Sequence, residues 1–325
     1  MRSQGRILLL VLAAGFVATV TAACGRSDSA SDGTNAAISN ASSSLSGRIE
    51  VDGSSTVGPL VTAGAEQFEA QNSGVHVTVG ISGTGGGFER FCAGETDISD
   101  ASRPIKDDEE VPVCQENGIE YTEIQIANDG IGVVTNKEND WATCLTVEQL
   151  AKIWGPDSEI DNWNQVDPSF PDQNMTLAGP GTDSGTFDFF TGAINGEEDA
   201  SRTDYQATED DNITVQAVEG DKGGLGYFGL SYFEQNQEQL SDVQIDGGSG
   251  CVAPSTETVQ DGSYAPLSRP LFIYVKNESL QKPEVKAFVQ YLLDSEQTIA
   301  DNALFVPLTD EQLQKSKSTL EGASS

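Results

Sequence analysis

Residues 178–190 read AGPGTDSGTFDFF, with glycines at 179, 181 and 185 and short polar side chains at Asp183, Ser184 and Thr186, immediately before the apolar Phe187, Phe189 and Phe190. The pattern predicts a loop that enters a helix. A helix start presents unpaired backbone N–H groups and the positive end of the helix dipole, so it suits a small anion. Hydroxyls at Ser184 and Thr186 add donors, and Gly185 lets the backbone approach a ligand closely. Taken alone the stretch also fits an ordinary N-cap with a glycine turn. The decision comes from the rest of the chain.

The same arrangement recurs. Arg48-Ile49-Glu50-Val51-Asp52 alternates like a strand, then Gly53-Ser54-Ser55-Thr56-Val57-Gly58-Pro59 leads into a helical pattern through Leu60, Ala63 and Phe68. Ser55 and Thr56 therefore occupy a second helix mouth. Val75, Val77 and Val79 mark another strand, followed by Gly80–Phe88 (GISGTGGGF) and a helix with Phe88, Phe91 and Cys92 on one side. Thr84 is the hydroxyl of this third mouth. Asp97–Pro104 (DISDASRP) forms a further candidate loop. Arg103 there offers a forked set of donors matched to a tetrahedral oxyanion, and Pro104 keeps it extended.

Beyond these loops, Tyr121–Ala127 and Gly130–Thr135 read as strands around a turn at Asn128 and Asp129. Val147–Trp154 is a short helix capped by Thr146, and Trp163 is a packing residue in a polar loop. Ile213–Val218 alternates like a strand, and Gly220–Tyr232 is a tight turn into a buried strand and helix. Leu271–Val275 is an apolar strand after Arg269-Pro270, where the chain returns to its first half. Val285, Phe288, Val289 and Leu292 recur at helical spacing, and Phe305–Leu308 gives a last apolar contact before a polar tail. Strand-to-helix alternation of this kind predicts an α/β architecture whose anion loops meet at strand ends. His76, the single histidine, is read as exposed or structural.

Arg2 and Arg6 precede the apolar run Ile7–Val20, which is too short to span a bilayer comfortably and has the order of a secretory signal. Thr21-Ala22-Ala23-Cys24 resembles the lipobox of a bacterial lipoprotein, which implies cleavage before Cys24 and a lipid on its sulfur. The usual Leu three places before the cysteine is absent, so a plain secretory signal stays open. Residues 24–47, rich in Ser, Ala, Asn and Asp, read as a flexible tether.

The formal charge of −34 excludes a nucleic-acid partner, which needs a basic surface, and obliges any anion site to work through local donors. The acidic pieces Asp107–Glu110, Glu197–Asp199 and Glu209–Asp211 read as solvated surface. Four cysteines remain besides Cys24: Cys92, Cys114, Cys144 and Cys251. In an exported chain they predict two disulfides, with three possible pairings. The short segment between Cys92 and Cys114 favours a local loop, which pairs Cys144 with Cys251. No Cys-x-x-Cys pair occurs, so zinc is not expected, and no Gly-x-x-x-x-Gly-Lys-[Ser/Thr] sequence supports nucleotide hydrolysis.

Together the loops resemble a known family, the PstS type of phosphate-binding protein, extracytoplasmic receptors of phosphate ABC importers. Gly53-Ser54-Ser55-Thr56, Gly83-Thr84-Gly85-Gly86-Gly87, Thr96–Arg103 and Thr182–Phe187 occur in that family's order and approximate spacing, and the likeness covers about Ile49 to Leu308. Ile153-Trp154-Gly155 and Gly223–Tyr227 match further landmarks. The resemblance implies a two-lobe α/β periplasmic-binding-protein-like fold of type II, with the ligand cleft between lobes. One lobe would be 48–127 with 267–315, the other 128–266, and 316–325 a flexible tail. It implies oxyanion contacts from Ser55, Thr56, Thr84, Ser184, Gly185 and Thr186, no metal and no cofactor, and a monomer that meets a membrane permease.

Two departures stand out. Arg103 occupies the place where the best-known members carry an aspartate that accepts the phosphate proton, and Pro180-Gly181-Thr182 replaces an arginine before the Ser-Gly-Thr loop. Arg103 then supplies the positive charge. Asp183 is the first candidate for the acceptor, followed by Asp100 and, more weakly, Asp52. Such a carboxylate would reject sulfate, which has no proton to share. A receptor for sulfate, molybdate or tungstate is the nearest alternative. A secreted phosphatase using Ser184 beside Asp183 is poorly supplied with one histidine.

Overall fold

The computed structural model describes residues 45–182 and 184–323. The export signal, Cys24, the tether up to residue 44, and Asp183 lie outside the described residues. The chain runs β1 (Ser46–Gly53), α1 (Gly58–Gln71), β2 (Gly74–Ile81), α2 (Gly83–Cys92), β3 (Ile98–Ala101), α3 (Glu110–Glu116) and β4 (Tyr121–Asn136). It continues through β5 (Cys144–Thr146), α4 (Val147–Trp154), α5 (Trp163–Val166), β6 (Thr176–Gly179), α6 (Gly185–Asn195), β7 (Gln206–Ala207), α7 (Asp211–Glu219), β8 (Gly224–Gly229) and α8 (Leu230–Gln235). Last come β9 (Leu240–Asp242), β10 (Gln244–Asp246), β11 (Cys251–Val252), α9 (Thr256–Gln260), β12 (Ser268–Lys276), α10 (Pro283–Asp294), α11 (Glu296–Asn302) and α12 (Asp310–Ala323).

The main sheet has the order β2-β1-β3-β12-β4-β8-β6-β7, with β9 also on β4. β1 pairs in parallel with β2 and β3, and β6 pairs in parallel with β8 and β7. Parallel pairing needs crossover helices, which α1, α2 and the segments around α6 and α7 supply. The long strands β4 and β12 run antiparallel from Tyr121/Lys276 to Gly130/Ser268. They join two halves with separate cores.

In the first half, Ile49, Val51, Phe68, Ile273, Phe288 and Leu292 are buried together, and Phe88, Phe91 and Tyr274 form an adjoining cluster. In the second half Trp154 packs edge-on against Phe190 and Tyr227, and those two rings stack 3.8 Å apart. Burying each such side chain contributes about 1.5–3 kcal/mol. Trp163 is fully buried and donates to the Gly223 carbonyl at 3.0 Å. Thr146 caps α4 through a capping box with Gln149, worth about 1 kcal/mol. Cys92 is bonded to Cys114, and Cys144 to Cys251.

Several expectations are corrected. Asn128 and Asp129 make no turn; they lie inside the continuous strand β4. Both are buried with partners, Asn128 against the Val306 backbone and the Gln125 amide, Asp129 against Arg269. Residues 213–218 are not a strand but the body of α7, because Asp210 caps its start and Thr214, Val215 and Val218 share its buried face. The tail from residue 316 continues α12, where Ser316 donates to the Gln125 carbonyl at 2.8 Å and Leu320 is buried. Residues 46 and 47, assigned to the tether, open β1 against β2. Among the described residues, no helix is long and apolar enough to cross a membrane.

Candidate oxyanion site

The first loop leaves β1 at Gly53. The Ser54 N–H donates to the Asp100 carbonyl at the end of β3, and the Ser54 hydroxyl accepts from the N–H groups of Thr56 and Val57 at 3.1 and 3.3 Å. This holds Ser55 and Thr56 at the mouth of α1. The second loop is fixed to the first: Ser82 donates its N–H to the Gly53 carbonyl and its hydroxyl to Asp52 at 2.7 Å. Ser82 is the N-cap of α2, yet its side chain accepts nothing from the helix. The first-turn N–H groups of α2, around Thr84, are thus left without a side-chain acceptor, which is the condition that favours an anion.

Thr84 and Ser102 lie 3.0 Å apart through their hydroxyls, so the second and third loops touch. Arg103 follows Ser102, but its fork grips Glu110 at 2.9 and 2.7 Å and its plane lies 5.6 Å from the Phe88 ring centre. Glu110, read from sequence as solvated, is instead half-enclosed as the counter-ion of Arg103. This pairing with Glu110 holds the Arg103 guanidinium above its usual pKa.

The fourth loop arrives from β6. Ser184 caps α6 by accepting the Thr186 N–H at 3.2 Å. Here the first and fourth loops meet: Ser55 donates to Asp188 at 2.9 Å, and Thr56 donates to the Gly185 carbonyl at 3.2 Å. A Cβ on Gly185 would fall 2.5 Å from the Thr56 hydroxyl and 2.8 Å from its Cα, so only glycine permits this approach. The starts of α1 and α6, from opposite halves, are in direct contact.

The structure therefore brings Ser55, Thr56, Gly185 and Ser184 together, and ties Thr84 and Arg103 to the first loop through Ser82, Ser102 and Asp100. Sequence reasoning missed Arg269. It sits on β12 opposite Asp129, 3.1 Å from that carboxylate, and its Nη2 donates to the Thr56 hydroxyl at 2.7 Å. The available signal was the Arg-Pro pair at the point where the chain returns between halves. Asp188, also overlooked, lies in the first turn of α6.

Three carboxyls near the loops are pushed up by burial. Asp100 is fully buried with neither oxygen partnered, and its pKa rises to about 7. Asp188 is raised by burial against the Ser55 hydrogen bond. Asp129 is raised by burial although Arg269 opposes it. Asp52, by contrast, is committed to Ser82 and Arg90. A cavity of about 420 Å³ opens beside the fourth loop, lined in part by Gly181, Thr182, Tyr205 and Arg202. The Arg202 guanidinium is engaged by Asp204 and the carbonyls of Ile153 and Ile160. Among the described residues, no cluster of His, Cys, Asp and Glu could hold a metal ion.

Comparisons with known proteins identify the family. The model of the PBP superfamily domain matches residues 38–296. Protein SphX of Synechocystis sp. is 47% identical over 83% of this chain and 81% of its own length. The phosphate-binding protein PstS of Staphylococcus saprophyticus is 40% identical over 85% of each chain. The crystal structure of a possible phosphate binding protein from Planctomyces limnophilus superimposes with a TM-score of 0.84 at 44% identity, covering 87% of this chain and all of that one. The fold is accordingly the type II periplasmic-binding-protein fold. The chain belongs to the PBP superfamily, and within it to the PstS-like phosphate-binding proteins that serve ABC transporters.

Proposed function

We propose that this chain binds inorganic phosphate outside the cytoplasmic membrane and delivers it to the permease of an ABC importer. The observation that carries this reading is the meeting of the α1 and α6 starts beside the side-chain-uncapped start of α2, in a chain 40% identical to a relative named as a phosphate-binding protein. It works as a receptor and not as an enzyme. Its binding energy comes from many hydrogen bonds to a charged ligand in a dry cleft, and closure slows release.

Ser55, Thr56, Thr84, Ser184, Gly185 and Thr186 are the proposed oxyanion contacts, with Arg103 adding positive charge and Asp183 accepting the phosphate proton. The moving lobes are 48–127 with the chain from 267, and 128–266. β4 and β12 are the crossing strands, which let the lobes rotate without unfolding either. The finer placement is a lipid on Cys24, a monomer at the outer face of the membrane, and a tether of about twenty residues. Arg103 at the acceptor's place favours one second reading, a receptor for another tetrahedral oxyanion such as sulfate.

Equilibrium dialysis of unfolded and refolded protein against radiolabelled phosphate tests the proposal. One phosphate retained per chain at micromolar concentration supports it; no retention contradicts it.

A further inference from the structure

We propose that Arg269 is the cation that contacts the bound oxyanion, reaching it from the crossing strand between the halves. This rests on the phosphate-receptor reading. Arg269 stands on β12 and its side chain is 13% exposed, so little water solvates its charge. The guanidinium lies 3.8 Å over the Phe189 ring, which fixes its plane, and Nε donates to Asp129 at 3.2 Å, which fixes its rotation. Its Nη2 edge then faces the meeting point of two helix starts, donating to the Thr56 hydroxyl at 2.7 Å and weakly to the Gly185 carbonyl at 3.4 Å.

Those two acceptors are neutral. A phosphate oxygen at the same helix starts makes a charge-assisted bond that outcompetes either of them. Arg103 is less well placed for direct contact: its hydrogen bonds go to Glu110 and the Pro104 carbonyl and reach neither α1 nor α6. The Arg269 Nη2, although also 3.1 Å from Asp129, reaches both helix starts. Asp129 offsets the cost of burying Arg269 in the free protein, and the anion adds the second negative partner. The arginine touches both halves only where they meet, so the same contact rewards closure. Asp129 is in this account a positioning residue.

The test compares wild type, R269Q, R269K and D129N by phosphate titration calorimetry, after thermal unfolding has established that each is folded. R269Q is expected to lose about 100-fold in affinity and R269K about tenfold, since lysine keeps the charge but not the fork. In 15N-arginine-labelled wild type, the Arg269 Nε resonance is expected to shift on phosphate addition, a readout independent of whether R269Q folds. Wild-type protein that binds phosphate while R269Q binds equally well, or while the Nε resonance stays unmoved, overturns the inference alone. Wild-type protein that binds no phosphate overturns the functional reading beneath it.

Discussion

Ser55 donates its hydroxyl to Asp188 at 2.9 Å across 133 residues of chain, joining the loop before α1 to the first turn of α6. The bond links the two halves where the starts of α1 and α6 meet, so under the proposed lobe closure it favours the closed form. A hydrogen bond to a charged group contributes about 1.5–3 kcal/mol. D188A is therefore expected to bind phosphate about tenfold more weakly. X-ray scattering should show the ligand-free variant larger than wild type, with phosphate restoring the wild-type radius. Equal radii without ligand would mean that this contact does not govern closure.

Asp100 makes stability depend on pH. Burial raises its folded pKa to about 7, above the value near 3.8 of an exposed carboxyl. Its contribution is complete below pH 4 and is lost as pH rises through 7, where the buried group must ionise. D100N removes that titration. Urea unfolding should show the difference, D100N minus wild type, growing by a few kcal/mol between pH 4 and pH 8. A difference that stays flat over this range contradicts an abnormally titrating Asp100.

The two disulfides differ in access. Cys92 and Cys114 are buried at 1% and 0% exposure, whereas Cys251 is exposed. Mild reduction of the native protein followed by alkylation should label Cys144 and Cys251 first, as mass spectrometry can read. The Cys144–Cys251 link closes a loop 107 residues long and is worth about 4–5 kcal/mol by loop-closure entropy. C144A/C251A should unfold at correspondingly lower denaturant. Simultaneous labelling of all four cysteines would contradict the burial difference.

Much of this molecule is legible in its sequence because its signals are local. The helix mouths at Ser55, Thr84 and Ser184 follow from strand, glycine loop and apolar period, and Thr146 from its capping box. Long-range partners leave no such mark. Arg269 looks like any arginine before a proline until β12 is laid against β4 and places it beside Asp129. Asn128 and Asp129 carry turn chemistry, and only partners distant in sequence (Val306, Gln312 and Arg269) make them strand residues. Alternation at Ile213 and Val215 suggested a strand, but a cap at Asp210 and burial at Thr214, Val215 and Val218 made a helix. Two apolar positions cannot separate the periods. The polarity of residues 310–323 hid a helix that docks through a few positions, Leu320 and Leu313 on the core and Gln312 and Ser316 by hydrogen bonds.

The acceptor for the phosphate proton is proposed at Asp183, from its place beside Ser184 and Thr186. D183N should weaken phosphate binding at least tenfold and relax the rejection of sulfate, because an amide no longer repels a proton-free dianion. Unchanged affinity together with unchanged sulfate rejection would remove Asp183 from the role.

The most direct measurement is isothermal titration of the stripped protein with phosphate and then with sulfate near neutral pH. A phosphate receptor gives one tight phosphate site per chain and no heat with sulfate. Sulfate binding as strong as phosphate, or stronger, would leave the fold and the oxyanion loops in place but contradict phosphate as the ligand.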